Sequence, residues 1–303
     1  MVLAMLDNHA EIAMSLRSLF IDFNAYFASV EQQEQPKLRG RPIAVVPVLT
    51  KNSCCIAASY EAKKMGVKTG TIIHEAKKLC PDIQFVAARP AIYVNYHHRL
   101  VELVKQCIPI AYIGSIDEMA CELIGREQQR SNAIKIAEKI KNKFLQHTPF
   151  IKASIGIAPN HFLAKTATDM QKPNGLVVIE AHDLPDVLYT LKLRDLCGIG
   201  PAMEKRLNQQ NILSVEQLCS SSNKRLHSVW GSIEGDRFYK KLRGEFITDA
   251  LIHEKKSISH SHVLAPDLRN IASAEAVLKK LLQKAAMRLR TEKLVARQLH
   301  VKI

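Results

Sequence analysis

The sequence predicts an α+β protein, in which a split-sheet, ferredoxin-like core is followed by an all-helical region and a strongly basic C-terminal segment. Short apolar runs typical of buried strands alternate with amphipathic helices up to about residue 180, in the order βαββαβ. Beyond that point the pattern is helical. Residues 250–303 hold 11 Lys and Arg against 4 Asp and Glu, and so carry +7 of the total formal charge of +14.

Charge and composition indicate what kind of molecule the protein binds. The 303 residues are 47% hydrophobic and 24% charged, which is ordinary for a globular protein, but a net charge of +14 favours a polyanion. No apolar run approaches the roughly 20 residues that span a bilayer, and the N-terminal stretch does not resemble a secretory signal, so nucleic acid is favoured over a membrane. The seven scattered cysteines include no CxxC pair and indicate reduced thiols in the cytoplasm.

The first predicted strand ends in a single carboxylate. Residues 18–22 form a short apolar run that closes with Asp22, and Asn24 is placed to cap a helix over residues 25–33. Asp22 therefore lies at a strand-to-helix junction, where open sheets tend to present functional groups. An ordinary Asp near a helix start is the other interpretation.

A hydroxyl and a cation share a face of a short helix in the next part of the chain. Residues 42–48 and 56–58 predict strands, and a helix over residues 59–66 follows with a serine cap. Tyr60 and Lys63 are three residues apart on this helix. The pair suits a phosphate, although a solvated helix face has the same pattern.

Two adjacent carboxylates, Asp117 and Glu118, interrupt an otherwise apolar stretch. It lies between an amphipathic helix over residues 91–108 and a lysine-rich helix over residues 134–145. A buried ionised carboxylate is unfavourable unless it is paired or binds a metal. The pair is therefore either a turn that exposes both charges to water or part of a metal site.

A strand over residues 151–158 and a helix over residues 160–170 complete the core. On that helix Lys165 is predicted on the side opposite His161. In a ferredoxin-like core, Asp22 and the Asp117–Glu118 pair are expected to converge on neighbouring strands.

Gly198 and Gly200 flank one apolar residue in the helical region. A Gly-x-Gly turn lets the main chain approach a phosphate and presents amide groups at a helix N-terminus. It is either a plain helix–helix turn or the turn of a helix-hairpin-helix that grips DNA, and residues 203–207 favour the latter.

The basic segment is predicted to form one helix between two strands. After a linker near residues 248–254, alternation over residues 256–263 and 299–303 predicts strands, and residues 273–290 predict the helix. Such a sheet is incomplete and has an open edge. We expect the segment to be unstable, processed or completed by another polypeptide.

Four motifs occur in order along the chain: residues 20–31 (FIDFNAYFASVE), residues 115–118 (SIDE), Ala164-Lys165 with residues 172–175 (KPNG), and the turn at residues 198–200. In this order they resemble the Y family of DNA polymerases, and within it the bacterial UmuC and DinB type translesion polymerases. The resemblance covers roughly residues 17–303. Any one motif alone would be weak, whereas four in order are highly specific.

The resemblance implies a two-metal nucleotidyl transfer site. Asp22, Asp117 and Glu118 match the carboxylates that ligate two Mg²⁺, for which Mn²⁺ is an expected substitute. Oxygen ligands suit these ions, and phosphoryl transfer depends mainly on positioned cations. The resemblance also implies that the main-chain carbonyl of Phe23 is a metal ligand and that Phe27 is the steric gate against ribonucleotides. Tyr60, Lys63 and Lys172 match the residues that hold the incoming triphosphate. Gly198 and Gly200 match the residues that bind DNA phosphates.

The family's domains map onto the chain as an α+β architecture. The resemblance implies a ferredoxin-like palm at residues 1–25 and 88–180 and small fingers at residues 26–87. An all-helical thumb with the helix-hairpin-helix spans residues 181–248, and an incomplete, partial α/β little finger spans residues 249–303. The implied partners are primer-template DNA and a dNTP, with a sliding clamp or other damage-response proteins as further candidates.

Several positions depart from the family pattern. Asn24 stands where many members have a second Asp, and Met119 replaces a small residue. Lys63 replaces a more usual Arg and so loses its bidentate fork. Ala57 replaces a hydroxyl residue near the phosphates. The last two changes predict weaker nucleotide binding.

Three functions are compatible with these features. The first is a low-fidelity, template-directed DNA polymerase for translesion synthesis and DNA repair in the mutagenic SOS response. The second is a catalytically weak or inactive DNA-binding accessory of the same fold, suggested by the incomplete C-terminal segment. The third is a helix-hairpin-helix nuclease, which would shorten a primer instead of extending it.

Overall fold

A computed structural model describes residues 15–247 and 257–302. Within those ranges the strands form two sheets. In chain order they are β1 (Ser18–Phe23), β2 (Ile43–Val46), β3 (Ala57–Ala58), β4 (Gln84–Ala87), β5 (Tyr112–Ser115), β6 (Glu118–Glu122), β7 (Ala153–Ala158) and β8 (Leu176–Val178).

The regular elements that the structure describes after residue 200 are helices. The α-helices of the described residues are, in chain order, α1 (Tyr26–Glu34), α2 (Tyr60–Lys64), α3 (Ile73–Leu79), α4 (Pro90–Lys105), α5 (Arg130–His147), α6 (His161–Met170), α7 (Pro201–Gln209), α8 (Val215–Ser220), α9 (Asn223–Trp230), α10 (Glu234–Leu242) and α11 (Ile271–Thr291). Over the part of the chain that the structure describes, no helix combines the length and apolar character needed to cross a membrane.

The larger sheet has the order β5-β6-β1-β7-β8. Strand β1 pairs antiparallel with both β6 and β7, and β8 is added parallel to β7. The segment from β1 through α4, β5, β6 and α5 to β7 therefore forms the interleaved split-sheet arrangement. The predicted α+β class with a ferredoxin-like core is confirmed.

Strand β1 sorts its side chains to the two faces of this sheet. Leu19, Ile21 and Phe23 belong to the core formed with α4 and α5, whereas Phe20 belongs to the core formed with α6. Because side chains alternate along a strand, Asp22 must share the α6 face with Phe20. The alternation of side chains along β1 therefore places the Asp22 carboxylate on the face that is covered by α6.

The smaller sheet, β3-β2-β4, lies between α1 and α4 in the chain. Its core is built from small side chains such as Ala44, Ala58 and Ala62. The predicted cap of α2 is confirmed, since the Ser59 hydroxyl accepts a hydrogen bond from the Ala62 amide. This cap fixes the first turn of α2, which carries Tyr60.

The helices α7 to α10 pack onto the α6 side of the larger sheet. Leu207, Leu226 and Phe238 share one apolar cluster with Phe20 of β1 and Leu163 of α6. The helical region therefore has a continuous apolar connection to the face on which Asp22 lies.

The C-terminal segment differs from its prediction. The helix is present as α11, but residues 257–263 and 299–302 form no strand, and residues 256 and 303 lie outside the described ranges. A strand is stable only when a neighbouring strand satisfies its main-chain groups, and neither stretch has one in the described chain. Their apolar side chains, Val263, Leu299 and Val301, are correspondingly exposed.

Candidate active site

Asp22 of β1 and Glu118 of β6 stand directly opposite each other. They are register partners in the antiparallel ladder, so their side chains leave the same face at neighbouring positions. Asp22 is only 6% exposed, and the Glu118 side chain is 29% exposed. Two ionised carboxylates in such a place require a compensating cation.

Lys165 of α6 lies between the two carboxylates. Its Nζ atom is 2.8 Å from Asp22 Oδ2 and also donates to Glu118 Oε1. The helix comes this close because β7 carries Gly156 where the two meet, and a Cβ there would lie 1.9 Å from the Ala164 carbonyl oxygen. The small residue on β7 therefore sets the approach of the lysine.

Lys172, just after α6, supplies a second cation. Its Nζ atom is 2.8 Å from Asp22 Oδ1 and 2.7 Å from Asp169 Oδ1. Both Asp22 oxygens are thus paired with ammonium groups. Burial lowers the pKa of Lys165 and of Lys172, but the neighbouring carboxylates outweigh it, so each pKa is raised above its ordinary value.

Asp117 occupies the turn between β5 and β6. The Ser115 hydroxyl donates to Asp117 Oδ1 at 2.5 Å, and the Asp117 carbonyl accepts from the Phe23 amide at 2.9 Å. The main chain at Phe23 therefore lies beside Asp117. The structure thus brings the predicted carboxylates and Phe23 to one end of the β1–β6 pair.

Asn24 does not cap α1 as predicted. The residue before α1 is Ala25, in the left-handed conformation at φ 48°, and no side chain caps the helix. The Asn24 side chain instead donates to Ser154 Oγ at 3.1 Å and accepts from the Asn174 amide at 2.7 Å. Tertiary partners that are distant in sequence replaced the local capping bond.

The turn that carries Lys172 is held on a second side. Lys141 of α5 donates to the carbonyl oxygens of Asn174 at 2.5 Å and Gly175 at 3.0 Å. Lys141 is half-buried, and this desolvation lowers its pKa. Lys141 and Asn24 together anchor the residues that follow Lys172.

Tyr60 and Lys63 lie beside each other on α2, which directly follows strand β3 of the smaller sheet. The Lys63 Nζ atom lies 4.6 Å from the centroid of the Tyr60 ring. Burial and the charge of Lys172 lower the pKa of Lys63, although Asp22 opposes them. Burial raises the pKa of Tyr60, with opposing effects from Lys172 and Asp22. The charges of Lys172 and Asp22 therefore act on both side chains.

Phe27 lies in the first turn of α1, five residues after Asp22. Its ring is half-buried and stacks on the Tyr93 ring of α4, with centroids 4.6 Å apart. The position places an aromatic ring at the end of β1 from which Asp22 projects.

The glycine turn precedes α7. Gly198 has φ +90°, a conformation that favours glycine, whereas Gly200 is extended and caps α7. Partial desolvation raises the pKa of Cys197 in this turn, and the charges of Lys165 and Glu118 act on the same thiol.

Lys165 and Asp169 are the site residues that the motif assignments missed. Lys165, Asp169 and Lys172 are spaced four and three apart, which puts three charges on one side of an otherwise apolar segment. This spacing is the sequence signal by which Lys165 and Asp169 could have been assigned to the site.

The prediction that Lys165 lies opposite His161 is wrong. Residues four apart share a helix face, and both side chains turn towards β1. His161 Nδ1 lies 2.6 Å from Ser18 Oγ, and Lys165 meets Asp22, which is four residues beyond Ser18 on the same face of the strand.

A different group of potential metal ligands lies elsewhere. Glu180, His182 and Asp183 come close enough to share an ion, but they are partly exposed and Glu180 is already paired with Arg130. The cluster does not involve the carboxylates of β1 and β6.

Models of three protein families match successive parts of the chain. Residues 21–169 match the impB/mucB/samB family, residues 194–245 match the thumb domain of DNA polymerase-iota, and residues 255–303 match the impB/mucB/samB family C-terminal domain. The matched ranges cover most of the larger sheet except β8, the helices after the glycine turn, and the segment with α11.

Curated relatives are similar in sequence to this chain over most of its length. DNA polymerase IV of Moorella thermoacetica is 34% identical over 277 residues, which are 90% of this chain and 69% of the relative. The chain belongs to the Y family of DNA polymerases. DNA polymerase IV of Shewanella baltica is 31% identical, over 89% of this chain and 75% of the relative.

Solved structures of this family share the fold. A chimeric Y-family DNA polymerase superimposes with a TM-score of 0.75 at 28% identity, covering 89% of this chain and 79% of that one. The insertion ternary complex of Dbh DNA polymerase gives 0.69 at 29% identity, with 90% and 80% coverage. The chain is a DNA-directed DNA polymerase of the translesion type, and the enzyme class is metal-dependent.

Proposed function

We propose that Asp22, Asp117 and Glu118 bind the two divalent cations of nucleotidyl transfer, Mg²⁺ or in its place Mn²⁺, together with the Phe23 carbonyl. The observation that carries this proposal is the opposed Asp22–Glu118 pair, whose oxygens already attract the ammonium groups of Lys165 and Lys172. An all-oxygen donor set suits Mg²⁺. The residues present therefore fit the ions.

The side chains around the carboxylates have separate tasks in this proposal. Bound divalent ions would supply charge stabilisation for the attacking and leaving oxygens. Lys172, Lys63 and the Tyr60 hydroxyl would hold the triphosphate, the lysines as point charges. Lys172 now pairs with Asp22 and Asp169, so it must exchange those partners for phosphate oxygens. Phe27 would exclude a 2′-hydroxyl.

We propose primer-template DNA and a dNTP as the substrates. Support comes from the Dbh structure, which is an insertion ternary complex, and from the net charge of +14. Gly198 and Gly200 lie in an exposed turn before α7, where main-chain amides are accessible to DNA phosphates. The exposed cations of α11 would add contacts with the DNA backbone.

We also propose the family's domain division for this chain. The palm would comprise residues 1–25 and 88–180, the fingers residues 26–87, the thumb residues 181–248 and the little finger residues 249–303. We further propose a cytoplasmic location, which the free cysteines and the bacterial relatives support. A sliding clamp or another damage-response protein is a candidate partner, testable by co-purification.

Primer extension with Mg²⁺ on damaged and undamaged templates tests the function. We expect extension by the wild type and a loss of at least about 10²-fold in Glu118→Gln, because charge stabilisation at the reacting oxygens is removed. Glu138→Gln is the matched control, since Glu138 is exposed on α5. Primer shortening would indicate a nuclease. DNA binding without extension would indicate the non-catalytic accessory.

A further inference from the structure

The proposed steric gate, Phe27, rests on a second aromatic ring. The Tyr93 ring lies 4.6 Å from it with an interplanar angle of 26°, which is a stacked arrangement. Tyr93 is 2% exposed, whereas Phe27 is half-buried. One face of the Phe27 ring is therefore covered by a side chain that has little freedom to move.

Tyr93 is fixed at its main chain and at its hydroxyl. The hydroxyl donates to Glu31 Oε1 at 2.8 Å, and the Tyr93 carbonyl accepts from the Tyr26 hydroxyl at 2.7 Å. Glu31 and Tyr26 both lie on α1, the helix that carries Phe27. These bonds tie the ring behind Phe27 to the helix of Phe27.

Glu31 is itself immobilised although it carries a charge. Its side chain is fully buried, and Arg89 binds both of its carboxylate oxygens, with Arg89 Nε 3.0 Å from Oε1. Gln35 donates to Oε2 at 2.8 Å. Arg89 immediately precedes α4, so the carboxylate fastens α1 to the start of the Tyr93 helix. A buried charge with this many partners is a rigid point in the fold.

We propose that Tyr93, held by Glu31 and Arg89, is a positioning residue that keeps the Phe27 ring in place and so contributes to the selection of deoxyribonucleotides over ribonucleotides. The inference rests on the proposed role of Phe27. Exclusion by a ring depends on the ring being unable to move aside when a larger sugar enters. A phenylalanine at a half-exposed position has other staggered rotamers, and a fixed stacking partner disfavours them.

The test compares dNTP and rNTP incorporation by kcat/KM on one primer-template. Phe27→Ala serves as the reference for an absent ring. Tyr93→Leu removes the stack, Tyr93→Phe keeps the ring without its bond to Glu31, and Glu31→Gln weakens the anchor. Tyr96→Leu is the matched control, since Tyr96 is a second tyrosine of α4 that donates to a different carboxylate of α1, Glu34, at 2.6 Å.

We expect the dNTP-to-rNTP ratio to fall most in Phe27→Ala, about tenfold in Tyr93→Leu, and about two- to threefold in Tyr93→Phe and Glu31→Gln. Tyr96→Leu should leave the ratio unchanged. A purely structural role would lower both kcat/KM values together and would not move their ratio.

Two outcomes distinguish a failure of the positioning role of Tyr93 from a failure of the proposed gate role of Phe27. If Phe27→Ala lowers the ratio but neither Tyr93→Leu nor Glu31→Gln does, the positioning role is overturned and the gate remains. If Phe27→Ala has no effect, the assignment of the gate itself fails. Circular dichroism and melting temperature check each variant, and should Tyr93→Leu fail to fold, Tyr93→Phe and Glu31→Gln decide the question.

Discussion

The carboxylate site and the C-terminal segment show two ways in which this chain uses charge. In the first, Asp22 and Glu118 are paired with neighbouring cations: both Asp22 oxygens bind ammonium groups, and Lys165 joins Asp22 to Glu118. In the second, α11 has no buried residue, and its lysines and arginines point to solvent or to a carboxylate one turn away. Chemistry requires fixed positions, whereas binding to a DNA backbone requires mainly charge.

The largest effect is expected at the enclosed site. Asp22→Ala should lower primer extension by at least about 10³-fold, because several kcal/mol of transition-state stabilisation are removed. Lys165 retains Glu118 and Lys172 retains Asp169, so the fold should persist. The extension rate measures the loss of activity, and circular dichroism measures whether the fold persists. Asp267→Ala, in the exposed segment, is the control, and an equal fall there would refute the contrast between the regions.

The exposed segment should act through salt-dependent DNA affinity. Lys280, Lys284 and Arg290 of α11 are exposed and form no ion pair within the described chain. Replacing all three by Gln should weaken DNA binding roughly tenfold. The slope of log affinity against log salt should become shallower by about 0.9 for each phosphate that the variant no longer neutralises.

Fluorescence anisotropy across a salt series provides the measurement. The control removes the same charge near α5, with Arg126, Lys135 and Lys139 replaced by Gln; all three side chains are exposed. If both triple variants weaken binding equally, the effect is one of net charge and the C-terminal segment has no special part in it.

A smaller effect is expected for Lys141, a half-buried cation that binds main-chain carbonyl groups. Lys141→Met removes the donor to the Asn174 and Gly175 carbonyls and should loosen the turn that follows Lys172. Since Lys172 is the proposed triphosphate ligand, KM for the dNTP should rise about three- to tenfold with kcat nearly unchanged.

Steady-state kinetics of dNTP incorporation decide this prediction. Lys139→Met is the matched control, because Lys139 is an exposed lysine of the same helix. It should leave KM for the dNTP at the wild-type value. A fall in kcat alone in Lys141→Met would contradict the proposed action through the turn.

The smallest effect concerns the pH dependence of stability at α6, next to β1. His161 of α6 is half-buried, and this desolvation lowers its pKa to about 4, while its buried Nε2 atom has no hydrogen-bond partner within the described residues. The unfolded chain therefore binds a proton near the ordinary pKa of about 6.5, before the folded chain does, so stability falls as pH drops from about 6.5 towards 4.

Melting curves at pH 7 and pH 5 measure this effect. We expect the wild type to lose a few °C more on acidification than His161→Gln does, on the order of what one group contributes. His147→Gln should keep the wild-type pH dependence, since His147 is exposed on α5. Equal pH dependence in wild type and His161→Gln would show that another group is responsible.

The sequence by itself determined the layout of the first strand and the order of the motifs. Alternation along residues 18–23 already assigns Phe20 and Asp22 to one face, because the side-chain period of a strand is two. Ser59 as a helix cap is equally local, since its partner Ala62 is three residues away. The α+β class with its ferredoxin-like core followed from the order of such short-range patterns.

The sequence predicted that Asp22 and the Asp117–Glu118 pair converge, but only the tertiary structure decided the exact pairing of the charges. Asp22 and Glu118 are 96 positions apart, and their pairing depends on the register between β1 and β6. Asn24 does not cap the helix as predicted, because its side chain forms hydrogen bonds with Ser154 and Asn174 instead. These partners are too distant in sequence for a local pattern to predict. The two C-terminal stretches show the same principle: an alternating sequence becomes a strand only when another strand satisfies its main-chain groups.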